Sequence, residues 1–349
     1  IALWTQVVLR GGEDQAMDWM KKLHGNILQY TKSGSAPAQS AGRGEVGVSI
    51  VFSHDRVKYA EQGMSDLVTK TLYASNITTD EEVLVDAARL WRGEQDGLFL
   101  PIKSKLLEDA IPANLRAAPA ADGGIPWFGF STRARVVVYD KVRVKREDVD
   151  TYEELGDPKN KGKLCIRSGA HPYNLSLFGA VTEHLGPEKS EAWLKGMVDN
   201  MARAPKGGDT DQIKAVAAGE CQVALSNTYY IARMMRSTKP EDVKAMERVG
   251  VVWPNQASTG THINVSGAGV LKHAPHKEAA VKFLEYLASD DAQRYFADGN
   301  NEWPAVDKVK VSNPALDALG KFKADTLPVK NLAMYQVKAQ MIYDRAGYK

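Results

Sequence analysis

The sequence has few cysteines, no excess of charge of either sign and no long apolar run. Its 349 residues include 45 basic and 43 acidic side chains, a net charge of +2. This balance indicates no surface for nucleic acid or for an acidic membrane. No apolar stretch approaches the roughly 20 residues that a membrane-spanning helix requires. With 44% hydrophobic and 25% charged residues, the composition is that of an ordinary globular protein.

A signal peptide is also absent from the sequence, which begins at Ile1 and not at an initiator methionine. The missing signal therefore says little about the compartment. A chain of 349 residues is long enough for two domains or lobes, each with its own core.

Cys165 and Cys221 are the only two cysteines, and their spacing fits no zinc motif. Each precedes a polar loop by a few residues, on predicted strands that are candidates for neighbours in one sheet. Two buried thiols and a disulfide both fit this pattern, and a disulfide suits an oxidising compartment. Because the two placements match and no other cysteine is available, we predict the disulfide.

Residues 163–230 carry the most informative pattern in the chain. An apolar run over 164–166 passes into small and polar residues, a helix over 211–218 stops at Gly219, and a second strand over 221–225 follows. Strand, turn, helix and strand in this order are typical of an open parallel sheet. Ligands of such sheets bind beyond the carboxyl ends of the strands. The residues that fall there are Ser168, Gly169, Ala170, Tyr173, Asn227, Tyr229 and Tyr230.

Other segments show clear secondary-structure patterns. The β-branched run over 134–139 predicts a strand that crosses between lobes. Apolar residues at spacings of three and four predict one helix over 278–297 with a stripe facing the core. Further predictions are strands over 68–73, 250–253 and 263–270, the last with a bulge or a close-approach glycine, a short helix closed by Gly97, and a helix over 334–343.

Residues 1–64 repeat part of the later segment. At an offset of 174 residues, Gly12 aligns with Gly186 and Trp19 with Trp193, which indicates an internal copy of one helix-loop-helix-strand unit. The copy lacks counterparts of the three tyrosines. His54 and Asp55 occupy the corresponding positions. They are a second candidate metal site or, more simply, a solvated strand end.

Three tyrosines at strand ends of one sheet indicate a site for a hard metal ion. A phenol has a pKa of about 10 in water, so a phenolate at neutral pH requires strong compensation. A bound trivalent cation supplies it, and tyrosinate is a known ligand of iron. Tyr173, Tyr229 and Tyr230 are therefore the candidate metal ligands.

The small-residue turn Ser168-Gly169-Ala170 is a candidate anion site beside the tyrosines. Free backbone N–H groups at the start of a helix bind anions, and Arg133, Arg135 or Arg167 would add charge. An ordinary strand-to-helix turn explains the same residues equally simply.

Residues 72–349 resemble the periplasmic ferric-ion-binding proteins of bacterial ABC importers. The resemblance rests on six motifs: VDAARLWR at 85–92, RARVVVYD at 133–140, CIRS at 165–168, GGDTDQ at 207–212, NTYY at 227–230 and GTHINVSG at 260–267. It implies an α/β, two-lobed periplasmic-binding-protein fold of type II, in which each lobe is a mixed sheet flanked by helices and the ligand lies in the cleft.

By this resemblance the protein is a non-enzymatic carrier of Fe³⁺. Tyr173, Tyr229 and Tyr230 are the implied metal ligands, and an anion such as carbonate completes the site through Ser168, Gly169, Ala170, Asn227 and Arg133. The resemblance further implies a periplasmic monomer that contacts an ABC permease in the inner membrane transiently and binds no nucleic acid. The expected lobes are 65–135 with 260–308, and 136–259 with 309–349, preceded by the partial repeat of a second-lobe unit over 1–64.

The sequence departs from the family in the first lobe. The family offers a further His or Tyr ligand after its first strand, and the corresponding loop at 73–78 has neither at the matching place. A binding protein for an organic anion, such as a phosphonate or carboxylate, therefore remains an alternative. A hydrolase or transferase is a third class, with His171 and His262 as the residues to test.

Overall fold

The computed structural model describes residues 14, 17, 18, 21–25, 85–169, 171–274, 276–328, 331 and 335–348. The chain divides into two compact units, Ile1–Thr79 and Asp80–Lys349. The described residues of the first unit include helical residues 21–24, where Lys22 forms an exposed ion pair of 2.7 Å with Asp18. The predicted repeat over 1–64, the His54 and Asp55 pair, the strand over 68–73 and the loop at 73–78 lie outside the described residues.

The second unit is built on one mixed sheet. Within the described residues its strands are β1 Val85–Asp86, β2 Phe128–Asp140, β3 Leu164–Cys165, β4 Val223–Asn227, β5 Val249–Val252, β6 Ile263–Ala268 and β7 Trp303–Pro304. The sheet order is β1-β6-β2-β4-β3, and β5 and β7 also pair with β2. The β3–β4 pair is parallel, as the sequence predicts, and the other pairs are antiparallel.

The central strand β2 changes partners midway along its length. Its first half, from Phe128 to Ala134, pairs with β6, whereas the second half, from Arg135 onward, pairs with β4 and β5. Aromatic and β-branched residues recur along the strand, and such residues fit a pleated surface that is buried on both faces. The strand predicted over 134–139 is confirmed and is longer than predicted.

Helices cover the sheet and connect its strands. They are α1 Ala87–Gln95, α2 Lys105–Ala110, α3 Pro172–Leu185, α4 Pro187–Asp199, α5 Asp209–Ala218, α6 Thr228–Met235, α7 Pro240–Arg248, α8 Lys277–Leu287, α9 Asp290–Asn300, α10 Pro314–Ala318 and α11 Gln336–Ala346. None of these described helices has the length and apolarity needed to cross a membrane.

Two helix predictions differ in detail from the structure. The segment over 278–297 forms two helices, because the Ser289 side chain caps α9 by accepting a hydrogen bond from the Ala292 N–H at 3.4 Å. Its predicted core stripe is confirmed at the buried Leu284, Leu287 and Ala288. The helix predicted over 334–343 is α11, which begins and ends slightly later.

Separate apolar clusters line the two halves of the sheet. One cluster surrounds the first half of β2 and includes Trp127 and Phe130. In the second half, Val137 packs into a cluster on one face and Val136 and Val138 into a cluster on the other, as alternating strand residues do. The carboxyl ends of β3 and β4 therefore belong to a part of the sheet that has an apolar cluster on each face.

Cys165 and Cys221 form the predicted disulfide, with a Cα–Cα distance of 5.8 Å. Cys165 lies on β3, opposite Ala224 of β4, and Cys221 lies just before β4. Both cysteines are buried. The bond joins the two parallel strands that lead into the tyrosine segments.

Candidate functional site

The structure brings the three predicted tyrosines together. Tyr173 lies in the first turn of α3, and the hydroxyl of Tyr229 donates a hydrogen bond of 2.8 Å to the Tyr173 hydroxyl. The rings of Tyr229 and Tyr230 lie 4.3 Å apart. All three phenols therefore belong to one cluster at the carboxyl ends of β3 and β4.

Tyr229 and Tyr230 lie in the first turn of a helix, where the sequence predicts a loop after the strand. β4 continues to Asn227, and α6 begins at the next residue, Thr228. The positive end of the helix dipole favours negative charge in this turn.

Arginine side chains surround the phenol cluster. The Arg167 guanidinium carbon lies 5.0 Å from the centre of the Tyr173 ring, and that of Arg135 lies 5.9 Å from it. On the exposed side, Arg233 lies 5.5 Å from the Tyr230 ring and 6.0 Å from the Tyr229 ring. These distances allow cation–π attraction.

Tyr173 and Tyr229 are protonated in the absence of a cation. Burial, and then the neighbouring Tyr230, raise the pKa of Tyr173 to about 12, against the opposing effects of the Tyr229 hydrogen bond and Arg133. Burial raises the pKa of Tyr229 well above its ordinary value, and Tyr173 and Tyr230 raise it further. A trivalent cation among them would reverse this preference.

The predicted anion residues divide into two groups. Arg133 and Asn227 line a narrow gap together with Tyr173, Arg135, His262 and Asn264. Ser168 is exposed, and Gly169 is buried where a Cβ atom would lie 3.0 Å from both Tyr343 and Tyr348. Ala170 lies outside the described residues.

Side chains at the gap are held by hydrogen bonds. Arg133 Nη1 donates to Ser266 Oγ at 3.0 Å, and Arg135 Nη1 donates to Asn227 Oδ1 at 2.9 Å. Arg135 and Arg167 also form ion pairs with the buried Asp209, at 2.9 and 3.0 Å. The sequence indicated both Arg135 and Arg167 as possible sources of positive charge for the anion site.

Sequence patterns did not indicate Asp209 or Arg233 as residues of the site. Arg233 follows Tyr229 by four positions, so helical spacing places the two on one face. This spacing could have identified Arg233 from the sequence. Asp209 accepts a hydrogen bond from Arg135 at a sequence separation of 74 residues, and no local sequence pattern predicts such a pairing.

The two candidate catalytic histidines are neutral. Burial, followed by Arg167 and Arg135, lowers the pKa of His171 to about 3, and burial with Arg135 and Arg133 lowers that of His262 to about 3. His262 Nε2 lies 3.0 Å from Ser176 Oγ, but both residues are buried and His262 Nδ1 has no hydrogen-bond partner among the described residues. A catalytic triad requires an orienting group at that nitrogen.

Phenol oxygens are the metal donors that the described part of the chain brings together. Within it, no three His, Cys, Asp or Glu side chains form a group suited to a metal ion. A hard trivalent ion fits the phenol cluster, because phenolate supplies both hard oxygen and negative charge.

Residues 53–324 match a family described as bacterial extracellular solute-binding protein. Iron uptake protein A2 of Synechocystis sp. is 48% identical over 267 residues, which span 76% of this chain and 75% of the relative. Iron uptake protein A1 of the same organism is 44% identical over 290 residues, or 82% of this chain and 79% of the relative.

A solved structure of similar fold is a Trichodesmium protein in complex with iron and citrate ligands. It is 41% identical to this chain, with a TM-score of 0.74, and the match covers 92% of this chain and 97% of the other. Together with the mixed sheet and its covering helices, this likeness confirms the predicted two-lobed binding-protein fold.

Proposed function

The chain belongs to the bacterial extracellular solute-binding proteins, and we propose that it binds Fe³⁺ and delivers it to the permease of an ABC importer. The observation that carries this proposal is the cluster of Tyr173, Tyr229 and Tyr230, in which two hydroxyls lie 2.8 Å apart. The iron uptake proteins of Synechocystis and the iron-bound Trichodesmium protein support the same cargo.

Binding exchanges protons for the metal ion. Each of the three phenols loses one proton, and three phenolate charges neutralise Fe³⁺. Arg133, Arg167 and Arg233, which lie beside the phenols, would stabilise the phenolate charge once the protons leave. Tyr229 is buried and Tyr173 is half-buried, which limits water in the site and strengthens each charge interaction there.

An anion such as carbonate completes the coordination in this proposal. Arg133 and Asn227 support it most directly, because they line one gap with Tyr173. In the sequence, Ser168, Gly169 and Ala170 lie between β3 and α3, the helix that carries Tyr173. The citrate in the Trichodesmium complex supports a carboxylate as a second form of this anion.

We place the lobe boundary where β2 changes partners. The first lobe would comprise 65–135 and 260–308, the second 136–259 and 309–349, and residues 1–64 a partial second-lobe repeat. The extracellular solute-binding family supports a periplasmic monomer whose contact with the permease is transient and that catalyses no reaction.

Visible spectroscopy during addition of ferric ion tests the proposal. Charge transfer from phenolate to iron colours the loaded protein, and we expect Tyr229→Phe to weaken both the band and the binding. Tyr295→Phe is the matched control, because Tyr295 is an exposed tyrosine on α9. A colourless wild-type protein that retains no ferric ion at mildly alkaline pH would contradict the proposal.

Calorimetry separates the alternative, a carrier of a small organic anion. Wild type and Tyr229→Phe would be titrated with phosphonates, carboxylates and ferric ion. Tight anion binding that survives the substitution, without ferric binding, would favour the alternative.

A further inference from the structure

Asp209 contacts both segments that carry the candidate ligands. It is fully buried. Its Oδ2 accepts hydrogen bonds from Arg135 Nη1 at 2.9 Å and from the Asn227 backbone N–H at 2.7 Å, and its Oδ1 accepts one from Arg167 Nη1 at 3.0 Å. One carboxylate therefore connects β2 with the ends of β3 and β4.

Toward Tyr173, Asp209 acts through two guanidinium groups. Arg167 and Arg135 both lie over the Tyr173 ring. Arg135 Nη2 also donates to Asn174 Oδ1 at 2.8 Å, next to Tyr173 in the first turn of α3. Without the carboxylate, the bonds that hold both guanidinium groups beside this ring are weakened.

Toward Tyr229 and Tyr230, Asp209 acts through Asn227. This residue immediately precedes α6, and Asp209 holds its backbone N–H. Arg135 holds its side-chain oxygen at 2.9 Å. The position of the first turn of α6 is thus tied to the same carboxylate that positions the Tyr173 ring.

The charges of Asp209, Arg135 and Arg167 are consistent with Asp209 holding the two arginines in place beside the phenols. Burial alone would raise the pKa of Asp209, but Arg135 and Arg167 outweigh it, so the pKa lies below its ordinary value and the side chain is ionised. Two guanidinium charges against one carboxylate leave a single positive charge beside the phenols, where a negatively charged set of ligands is expected.

We propose that Asp209 is a positioning residue of the ferric site, which sets the geometry of the three phenols through Arg135, Arg167 and Asn227. This inference rests on the proposed function. It also explains the GGDTDQ motif, because Asp209 follows the two glycines and opens α5 at the point where all three partners meet.

A purely structural role for Asp209 has a matched control in Asp140, the last residue of β2. Asp140 is also fully buried and pairs with two arginines, Arg143 at 2.6 Å and Arg248 at 2.9 Å. It lies five residues beyond Arg135 on β2, about 17 Å away at the usual rise per residue. Asp140→Asn therefore removes a similar buried charge without touching the ligand segments.

The experiment compares wild type, Asp209→Asn and Asp140→Asn, each loaded with ferric ion and titrated with EDTA as competing chelator. We expect Asp209→Asn to shift the charge-transfer maximum and to lose about 10- to 100-fold in iron affinity, the usual loss when an outer-shell partner is removed. Asp140→Asn should lower the melting temperature and leave band and affinity unchanged. An unshifted band and unchanged affinity in Asp209→Asn would overturn the inference.

Arg167→Met keeps the inference testable if Asp209→Asn fails to fold. It removes one of the two guanidinium groups over Tyr173 and leaves the Asp209 bonds to Arg135 and Asn227 in place. A smaller band shift with weaker binding supports the role, and wild-type behaviour contradicts it. If wild type itself shows no band, the proposed function is wrong, which separates that failure from failure of the inference alone.

Discussion

The hydroxyl group of Tyr152 accepts a hydrogen bond from the backbone N–H of His262 at 3.1 Å. It also donates one to the carbonyl oxygen of Arg135 at 2.5 Å, while the Arg135 N–H donates directly to the His262 carbonyl at 3.0 Å. A hydrogen-bonded antiparallel pair exchanges both bonds directly. Here the phenol replaces one of them, at the point where β2 leaves β6 for β4 and β5.

Replacing Tyr152 with Phe should destabilise the protein. The substitution leaves a buried N–H of His262 and a buried carbonyl of Arg135 with one partner fewer, and an unsatisfied buried polar group costs about 1–3 kcal/mol. We expect the free energy of unfolding in denaturant to fall by about that amount. Tyr139→Phe is the control, since its hydroxyl makes no hydrogen bond to the described residues. Equal effects of the two substitutions would contradict the role of the Tyr152 hydroxyl.

Ferric binding should weaken as pH falls. The pKa of Tyr173 is raised to about 12, mainly by burial, and that of Tyr229 is raised well above its ordinary value, so both phenols must release protons when the ion binds. Each released proton makes the affinity about tenfold lower per pH unit of acidification, or about 100-fold for these two phenols. Chelator competition between about pH 6 and about pH 8, corrected for chelator protonation, measures the slope. A slope of zero would exclude neutral phenols as the ligands.

Arg233 should contribute modestly to iron binding, in a salt-dependent way. Its exposed guanidinium lies over both Tyr230 and Tyr229, and an exposed cation–π contact is worth about 0.5–1 kcal/mol. We expect Arg233→Gln to lower ferric affinity by about two- to fivefold at low ionic strength, and less at high salt, because exposed charges are screened. Arg294→Gln on α9 is the control. A loss that does not depend on salt would argue against an electrostatic role.

The sequence predicted features that depend on neighbours along the chain. The β-branched residues of β2 indicated a strand, and the positions of Tyr173 and Tyr229 after two strands placed them at one edge once β3 and β4 proved to be parallel neighbours. The close-approach glycine is also confirmed, because a Cβ atom on Gly267 would lie 2.5 Å from the Phe128 carbonyl oxygen.

Features that depend on distant partners were not predictable in the same way. The Asp209–Arg135 ion pair and the insertion of Tyr152 between two strands join residues that share no periodicity. The break between α8 and α9 was missed because the apolar spacing continues through Ser289, whose side chain prefers to cap a new helix. Local sequence patterns determine the helices and strands, whereas the geometry of the site depends on how those helices and strands pack.

The disulfide between Cys165 and Cys221 should stabilise the fold without contributing a metal ligand. It closes a loop with a sequence separation of 56 residues, for which the chain-entropy treatment gives about 4 kcal/mol as an upper figure. We expect the double variant Cys165→Ser with Cys221→Val to unfold at lower denaturant concentration and to keep the charge-transfer band. Valine is chosen because, after a one-residue slip in the alignment of the repeat, Val46 is the counterpart of Cys221. The denaturant concentration at which wild type unfolds in the presence of reductant should match that of the variant. Two free thiols in denatured, unreduced wild type would contradict the bond, and loss of the band with the fold intact would show that the bond also shapes the metal site.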